Sequence, residues 1–275
     1  MDLNTVTEIA RPQTRAELPL WTAGDAWLAG GTWLFSEPQV HLRRLIDLAD
    51  LKWPALAADE NGLTIAATCT VAQLDAFASP PEWLAAPLIN RCCRAFLASF
   101  KIWKTATVGG NLCMSLPAGP MIALTAALDG VCTIWKADGR EQRVGVADFV
   151  IGDQRNVLSR GDLLRQIDLP AAALTRRCAF RQISLTPVGR SAALLIGTVS
   201  GEAAFALTIT ASTVRPVRLT FGGIPQAGEL RDAILHLVPD GLYHTDIHGK
   251  PAWRKHMTLR LAGEIRDELQ GAPRR

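Results

Sequence analysis

Along this chain short apolar runs alternate with polar turns, so strands and helices are expected in alternation. Residues 14–20 predict a short helix, Gly24-Asp25 a turn, and Trp27-Leu28-Ala29 a short buried strand running into Gly30-Gly31. A helical stretch is expected after these glycines, then a strand at Leu45-Ile46-Asp47-Leu48. Leu63-Thr64-Ile65-Ala66 alternates like a strand after an Asn61-Gly62 turn. Thr70-x-x-Gln73 has the form of a capping box opening a helix over 71–77. Pro80-Pro81 starts a longer helix through Trp83, Leu88, Ile89, Cys92, Phe96 and Phe100, whose apolar residues recur near helical spacing.

Residues 117–128, rich in alanine and leucine, predict another helix. Residues 131–135 and 143–146 flank the Lys136-Ala137-Asp138-Gly139 turn of a hairpin. A strand over 162–170 closes this first unit, and Ala171-Ala172-Ala173 marks a boundary. Beyond it, 179–185, 191–199, 203–210 and 217–221 read as strands, and 228–237 and 253–269 as helices. The class is therefore α+β, with a second, smaller α+β unit at the end.

Two motifs carry chemistry: Ala29-Gly30-Gly31-Thr32-Trp33-Leu34 and Ala106-Thr107-Val108-Gly109-Gly110-Asn111-Leu112. Each has an apolar approach, two glycines and a small polar side chain. Glycine turns through φ > 0 and lets a ligand come close without a Cβ in the way, and successive N–H groups then form an anion-binding nest. Two such turns match the two phosphates of one dinucleotide. A lone Gly-Gly is mostly loop punctuation, and neither motif has the Gly-x-Gly-x-x-Gly spacing of the Rossmann fingerprint.

The rest of the composition narrows the classes. A chain of 275 residues with 48% hydrophobic content buries a sizeable core. A net charge of +3 without a Lys/Arg run and interleaved aromatics argues against nucleic acid as a partner. No segment has the ~18 consecutive apolar residues of a membrane span, and residues 1–11 lack the apolar stretch of a secretory signal; a cytoplasmic location is expected. Pro273-Arg274-Arg275 reads as a solvated end. The six cysteines, at 69, 92, 93, 113, 132 and 178, have no metal-ligand spacing and read as buried small hydrophobes, and the five histidines read as surface or packing residues.

Around the two glycine motifs the sequence resembles the FAD-binding subunit of the molybdenum hydroxylases, the family that includes xanthine dehydrogenase and carbon monoxide dehydrogenase. The family's first loop, Ala-Gly-Gly-Thr-x-Leu followed by a Leu-Ile-Asp-Leu strand, is matched at 29–34 and 45–48. Its second, Ala-Thr-Ile-Gly-Gly-Asn, is matched at 106–111, and the likeness runs in order over nearly the whole chain. It implies a PCMH-type FAD-binding domain at 1–172, with subdomains of about 1–50 and 51–172. A C-terminal domain at 173–275 would have an antiparallel sheet packed on helices. It also implies that Leu28, Ala29, Gly30, Gly31, Thr32, Trp33 and Leu34 face the FAD pyrophosphate. Ala106, Thr107, Gly109, Gly110 and Asn111 would form the opposing wall, and Leu164 or its neighbour would pack on the adenine. Arg181 would lie near the flavin ring, or else be a surface strand residue. The partners implied are a large molybdenum-cofactor subunit and a small subunit with two 2Fe–2S clusters, in a heterotrimer or a dimer of heterotrimers. FAD would pass electrons to NAD, quinone, oxygen or a carrier protein.

The departures are specific. An aspartate that the family carries nine residues beyond the asparagine is Pro120 here, and the family's Ile-Arg-Asn is Ile102-Trp103-Lys104. Proline cannot replace a carboxylate acceptor; Trp33 and Trp103 are candidates to stack on the cofactor or to serve as core or interface residues. A flavin-free assembly subunit is the alternative these departures motivate, and a free-standing flavin oxidase is a weaker third. The chain shows no catalytic triad, carboxylate pair or metal centre, which fits a redox relay.

Overall fold

The computed structural model describes residues 3–271; Pro273-Arg274-Arg275 lies outside them. The chain opens with a parallel sheet of β1 (Glu8–Ala10), β2 (Asp25–Leu28) and β3 (Arg44–Asp47) in the order β1-β3-β2. Residues 14–20, expected to be helical, give only one 3-10 turn at Arg15–Glu17. β4 (Leu56–Asp59) and β5 (Gly62–Ala66) then form a hairpin, and the Thr70/Gln73 capping box opens α1 (Val71–Asp75) with both reciprocal bonds present.

The long helix expected from Pro80 is broken. Pro80-Pro81 leads into turns, Pro87 in the first turn starts α2 (Ala86–Ala95), and α3 (Phe100–Trp103) follows separately. The Trp103 indole N–H donates to the Phe96 carbonyl at 3.0 Å, which pins the break and gives Trp103 a structural role. Next come α4 (Val108–Met114) and α5 (Pro120–Ala127), the latter buried on every side. The hairpin β6 (Val131–Trp135) and β7 (Glu141–Gly145) turns at Gly139, φ +86°. After α6 (Val146–Phe149), β8 (Val150–Gly152) and β9 (Arg155–Asn156), β10 (Leu163–Pro170) completes an antiparallel sheet β4-β5-β10-β6-β7.

α7 (Ala171–Leu174) leads into an antiparallel meander of β11 (Arg177–Ile183), β12 (Ala193–Val199), β13 (Phe205–Thr210) and β14 (Val217–Phe221). α8 (Ala227–Leu237) and α9 (Pro251–Gly271) cover one face of it. β12 shows why its seven residues are all buried. Side chains alternate along a strand, so Leu194 and Ile196 join the core around α5, while Ala193, Leu195 and Val199 join the core under α9. Gly197 lets α9 approach, since a Cβ there would stand 2.3 Å from Ile265 Cγ2.

Candidate functional site

The first motif leaves β2 at its C-terminal end. Gly31 has φ +69°, and a Cβ on it would meet the Phe35 ring at 2.5 Å. The Phe35 N–H donates to the Gly31 carbonyl at 2.8 Å, and Ser36 donates its N–H and hydroxyl to the Trp33 carbonyl. Residues 32–36 thus make successive turns rather than the expected helix. Pro38 explains the stop, because the residue before a proline is pushed out of the helical region. Among the described residues, the N–H groups of Gly30, Gly31, Thr32, Trp33 and Leu34 donate no hydrogen bond within the protein. Five consecutive backbone donors without a protein acceptor follow a parallel strand here, and a buried or ligand-facing N–H group calls for an acceptor.

The second motif differs from the expectation. Thr107 is the N-cap of α4, and neither Gly109 nor Gly110 has positive φ. The N–H of Val108 donates to Cys69 O, that of Gly109 to Ala67 O, that of Gly110 to Thr107 Oγ1 and that of Asn111 to Thr107 O. The opposing wall of free backbone donors is therefore absent. Gly109 serves packing instead: a Cβ there would lie 2.6 Å from the Ala67 Cα and carbonyl oxygen. Asn111 accepts from the Met121 N–H at 3.2 Å, capping α5, whose first turn begins with Pro120. The departure at Pro120 is thus a helix start, while Ile102-Trp103-Lys104 falls at the end of α3.

The motifs meet at Gly30, whose backbone lies directly on Thr105. Beside this contact opens a cleft of about 350 Å³ lined by Ala29, Gly30 and Thr107 from the motifs, and by Lys52, Trp53, Thr68, Thr70, Gln73, Lys104 and Thr105. Its lining holds two lysines and four threonines but no carboxylate. Neither Lys52 nor Lys104 forms an ion pair among the described residues. Lys52 has φ 48° at the end of a 3-10 turn. The Thr107 hydroxyl accepts from Gly110, which leaves its own proton for the cleft.

The other expected residues fall elsewhere. Leu28 sits in β2, and Ala106 is buried behind the cleft. Thr32, Trp33 and Leu34 are half-buried in the turn and do not line the cleft. Leu164 is 2% exposed and packed in the main core, which leaves no surface for an adenine; its neighbour Arg165 stacks on Trp53 instead. Arg181 pairs with Glu264 at 3.1 Å and Glu268 at 2.7 Å on α9. Burial pushes its pKa down, but these two carboxylates outweigh that and raise it. Its neighbour Gln182 lines a separate open cleft of about 560 Å³ with Arg94, Leu97 and Leu185. Lys52, Trp53 and Thr68 were not expected, because the 49–55 and 67–69 segments carry no motif.

The cysteines behave as small hydrophobes. Burial pushes the thiols of Cys69, Cys93, Cys113 and Cys178 up to about 12, and those of Cys92 and Cys132 are raised as well. Among the described residues no group of histidine, cysteine and carboxylate side chains could hold a metal.

Residues 6–172 match the family described as the FAD-binding domain in molybdopterin dehydrogenase. The chain belongs to that family and is an FAD-binding oxidoreductase component. Solved structures agree over nearly its full length. Quinoline 2-oxidoreductase from Pseudomonas putida 86 is 18% identical with a TM-score of 0.79, covering 98% of each chain. The Cu,Mo-CO dehydrogenase in its cyanide-inactivated form is 20% identical with a TM-score of 0.77, covering 94% of this chain and 96% of that one. Carbon monoxide dehydrogenase from Hydrogenophaga pseudoflava is 17% identical with a TM-score of 0.77, covering 95% of this chain and 96% of that one. No curated protein matches the sequence significantly. No described helix is long and apolar enough to cross a membrane.

Proposed function

We propose that this chain is the FAD-carrying subunit of a multi-subunit molybdenum-dependent hydroxylase or dehydrogenase. Its partners would be a large molybdenum-cofactor subunit and a small 2Fe–2S subunit, in a heterotrimer or a dimer of heterotrimers in the cytoplasm. Electrons arriving from the 2Fe–2S clusters would leave for an external acceptor. The observation that carries the reading is the first glycine turn: among the described residues the N–H groups of Gly30 to Leu34 have no protein acceptor, and Gly30 borders a cleft lined by two lysines outside any ion pair and by no carboxylate. That donor set fits a pyrophosphate. Bound FAD supplies a carrier that takes two electrons and releases them singly or in pairs.

The chain's own residues bind and orient. The N–H groups of Gly30 to Leu34 hold phosphate oxygens, and Lys52 and Lys104 balance their charge across the cleft. The Thr107 hydroxyl donates from the α4 N-cap. Gly30 keeps this half of the site in register with α3 and α4 by backbone contact with Thr105. Thr70 and Gln73 line the cleft with their side chains already locked in a capping box.

A flavin-free assembly subunit draws on one observation, the complete internal bonding of the 108–111 N–H groups. The test is the visible spectrum of the purified chain, with and without neighbouring subunits, and identification by mass of any yellow cofactor released by heat. About one FAD per chain, reduced in the assembled complex when the molybdenum substrate is added, supports the relay. A colourless chain that co-purifies with its partners and takes up no added FAD leaves the assembly reading.

A further inference from the structure

Trp53 is the aromatic side chain in the lining of the cleft, and other side chains pack on its ring. The Arg165 guanidinium lies 4.2 Å from the Trp53 ring centroid, and Trp135 meets the same ring edge-on at 5.5 Å. Arg165 also lies 5.8 Å from the Trp135 centroid, and Arg15 stands 4.6 Å from it. Arg15 is itself tied down, since its Nη2 donates to the carbonyls of Gly139 (2.8 Å) and Arg140 (3.1 Å). The Arg165 backbone is fixed too, its carbonyl accepting from the Ala67 N–H at 3.0 Å.

Two features of this stack are odd for a purely structural cluster. Arg165 Nη1 is buried without a hydrogen bond, and Arg165 forms no ion pair among the described residues; the rings hold its charge. A cation over an indole face is worth more when desolvated, so the arrangement fixes the Trp53 plane firmly. The Trp53 indole N–H, by contrast, has no hydrogen-bond partner among the described residues. An aromatic side chain held by its neighbours, with Lys52 next to it in sequence, therefore lines a cleft otherwise made of cations, hydroxyls, one amide and small residues.

We propose that Trp53 is the ring-stacking wall of this cleft and receives the purine base of the dinucleotide whose phosphates lie against Gly30 to Leu34. Arg165, stacked on its ring outside the cleft lining, is the positioning residue. The proposal rests on the reading of the cleft as an FAD site and adds a residue to it. An aromatic face suits a purine and does nothing for a bare phosphate. Trp53 should thus separate ligands that have the base from those that lack it.

The test uses the full chain freed of bound flavin, titrated separately with FAD, ADP and inorganic pyrophosphate by calorimetry and by tryptophan fluorescence. ADP is expected to quench wild-type fluorescence and pyrophosphate to leave it nearly unchanged. Trp53→Ala should weaken FAD and ADP about tenfold while pyrophosphate changes less than about twofold. Trp53→Phe, which keeps a ring and guards against misfolding of the alanine variant, should retain most of the affinity. Arg165→Met should weaken ADP about threefold and leave pyrophosphate alone. If Trp53→Ala weakens all three ligands equally, or weakens none, Trp53 is a structural residue and the proposal fails while the FAD site stands. A wild-type chain that binds neither FAD nor ADP overturns the FAD reading itself.

Discussion

Gly30 lies so close to Thr105 that a Cβ on it would stand 1.7 Å from the Thr105 carbonyl oxygen and 2.7 Å from the carbonyl carbon. Neither atom belongs to a flexible side chain. The turn after β2 and the segment between α3 and α4 must therefore separate if any side chain is added, and the cleft lies along that seam. Gly30→Ala is expected to destabilise the protein by about 1–3 kcal/mol, the usual range for overpacking. It should also lower the FAD bound per folded chain at least about fivefold. Flavin content against a denaturant melt checks this; a variant that melts lower yet keeps full flavin would separate the seam from the site.

Gly109 makes the opposite prediction. Its missing Cβ leaves room for Ala67, whose Cα and carbonyl oxygen would be 2.6 Å away, and its N–H already donates to Ala67 O at 3.0 Å. Gly109→Ala should destabilise by a similar about 1–3 kcal/mol. FAD affinity per folded chain should change less than about twofold, because Gly109 offers the cofactor no donor. Fluorescence titration of the folded fraction measures it, and a large affinity loss at unchanged stability would restore the nest at the second motif.

Both pairs of glycines were legible as close-approach positions, but what approaches them was not. The spacing of Ala-Gly-Gly-Thr and of Ala-Thr-Val-Gly-Gly-Asn is nearly the same, yet one turn leaves its N–H groups unpaired and the other begins a helix. The difference comes from β5 and the segment after it: Ala67 and Cys69 supply the acceptors that α4 uses. Such partners are distant in sequence and leave no local signal. The capping box, the hairpin and the C-terminal strands were readable because their bonds are local or alternate with period two. Lys52 and Trp53 were not, because only the three-dimensional packing of 49–55 beside Gly30 makes them part of a cleft. Arg181 read as a flavin neighbour by resemblance; the two carboxylates that engage it lie over 80 residues further on, at 264 and 268.

Lys52 and Lys104 should act through charge. Both are exposed, so each contributes the modest amount typical of a solvent-screened pair, about twofold to fivefold in Kd. The double substitution Lys52→Ala, Lys104→Ala is expected to weaken FAD about tenfold at low ionic strength. The deficit should shrink at about 1 M salt, where the Debye length falls to about 3 Å. Equilibrium titration at two ionic strengths tests it; a salt-independent loss would mean contact rather than charge.

Thr107 has two roles that a substitution series can separate. Its Oγ1 accepts from the Gly110 N–H at 3.0 Å, and its hydroxyl proton is left for the cleft. Thr107→Ala should cost about 1 kcal/mol as a lost N-cap, with a further drop in FAD affinity. Thr107→Ser keeps both functions and should restore both readouts. Thr107→Asp can cap α4 but places a negative charge against the cofactor phosphates, so stability should recover while FAD affinity falls below that of Thr107→Ala. If stability and affinity move together across all three variants, the hydroxyl acts only as a cap.

Asp25 and Arg44 sit side by side at the starts of β2 and β3, and the first turn is expected to respond to acid through this pair. The Asp25 carboxylate accepts from Arg44 Nε at 2.9 Å, from Arg44 Nη2 at 2.7 Å and from the Thr22 N–H at 2.7 Å. The Arg44 guanidinium holds the Asp25 carboxyl below its ordinary value, against the opposing effect of burial. A carboxylate whose folded pKa is depressed stabilises the fold above its unfolded pKa of about 3.9, and that stability is lost as the pH falls through the lower folded value. Acid should therefore loosen β2 against β3 only below about pH 4, and FAD should leave in the same window. Asp25→Asn leaves Arg44 with a buried neutral partner, which should cost about 3 kcal/mol at neutral pH. Its melting temperature should then vary less between pH 5 and pH 3 than that of the wild type. Thermal melts of both proteins across that range, read together with flavin release, decide it: parallel pH profiles would show that other carboxylates govern the acid response.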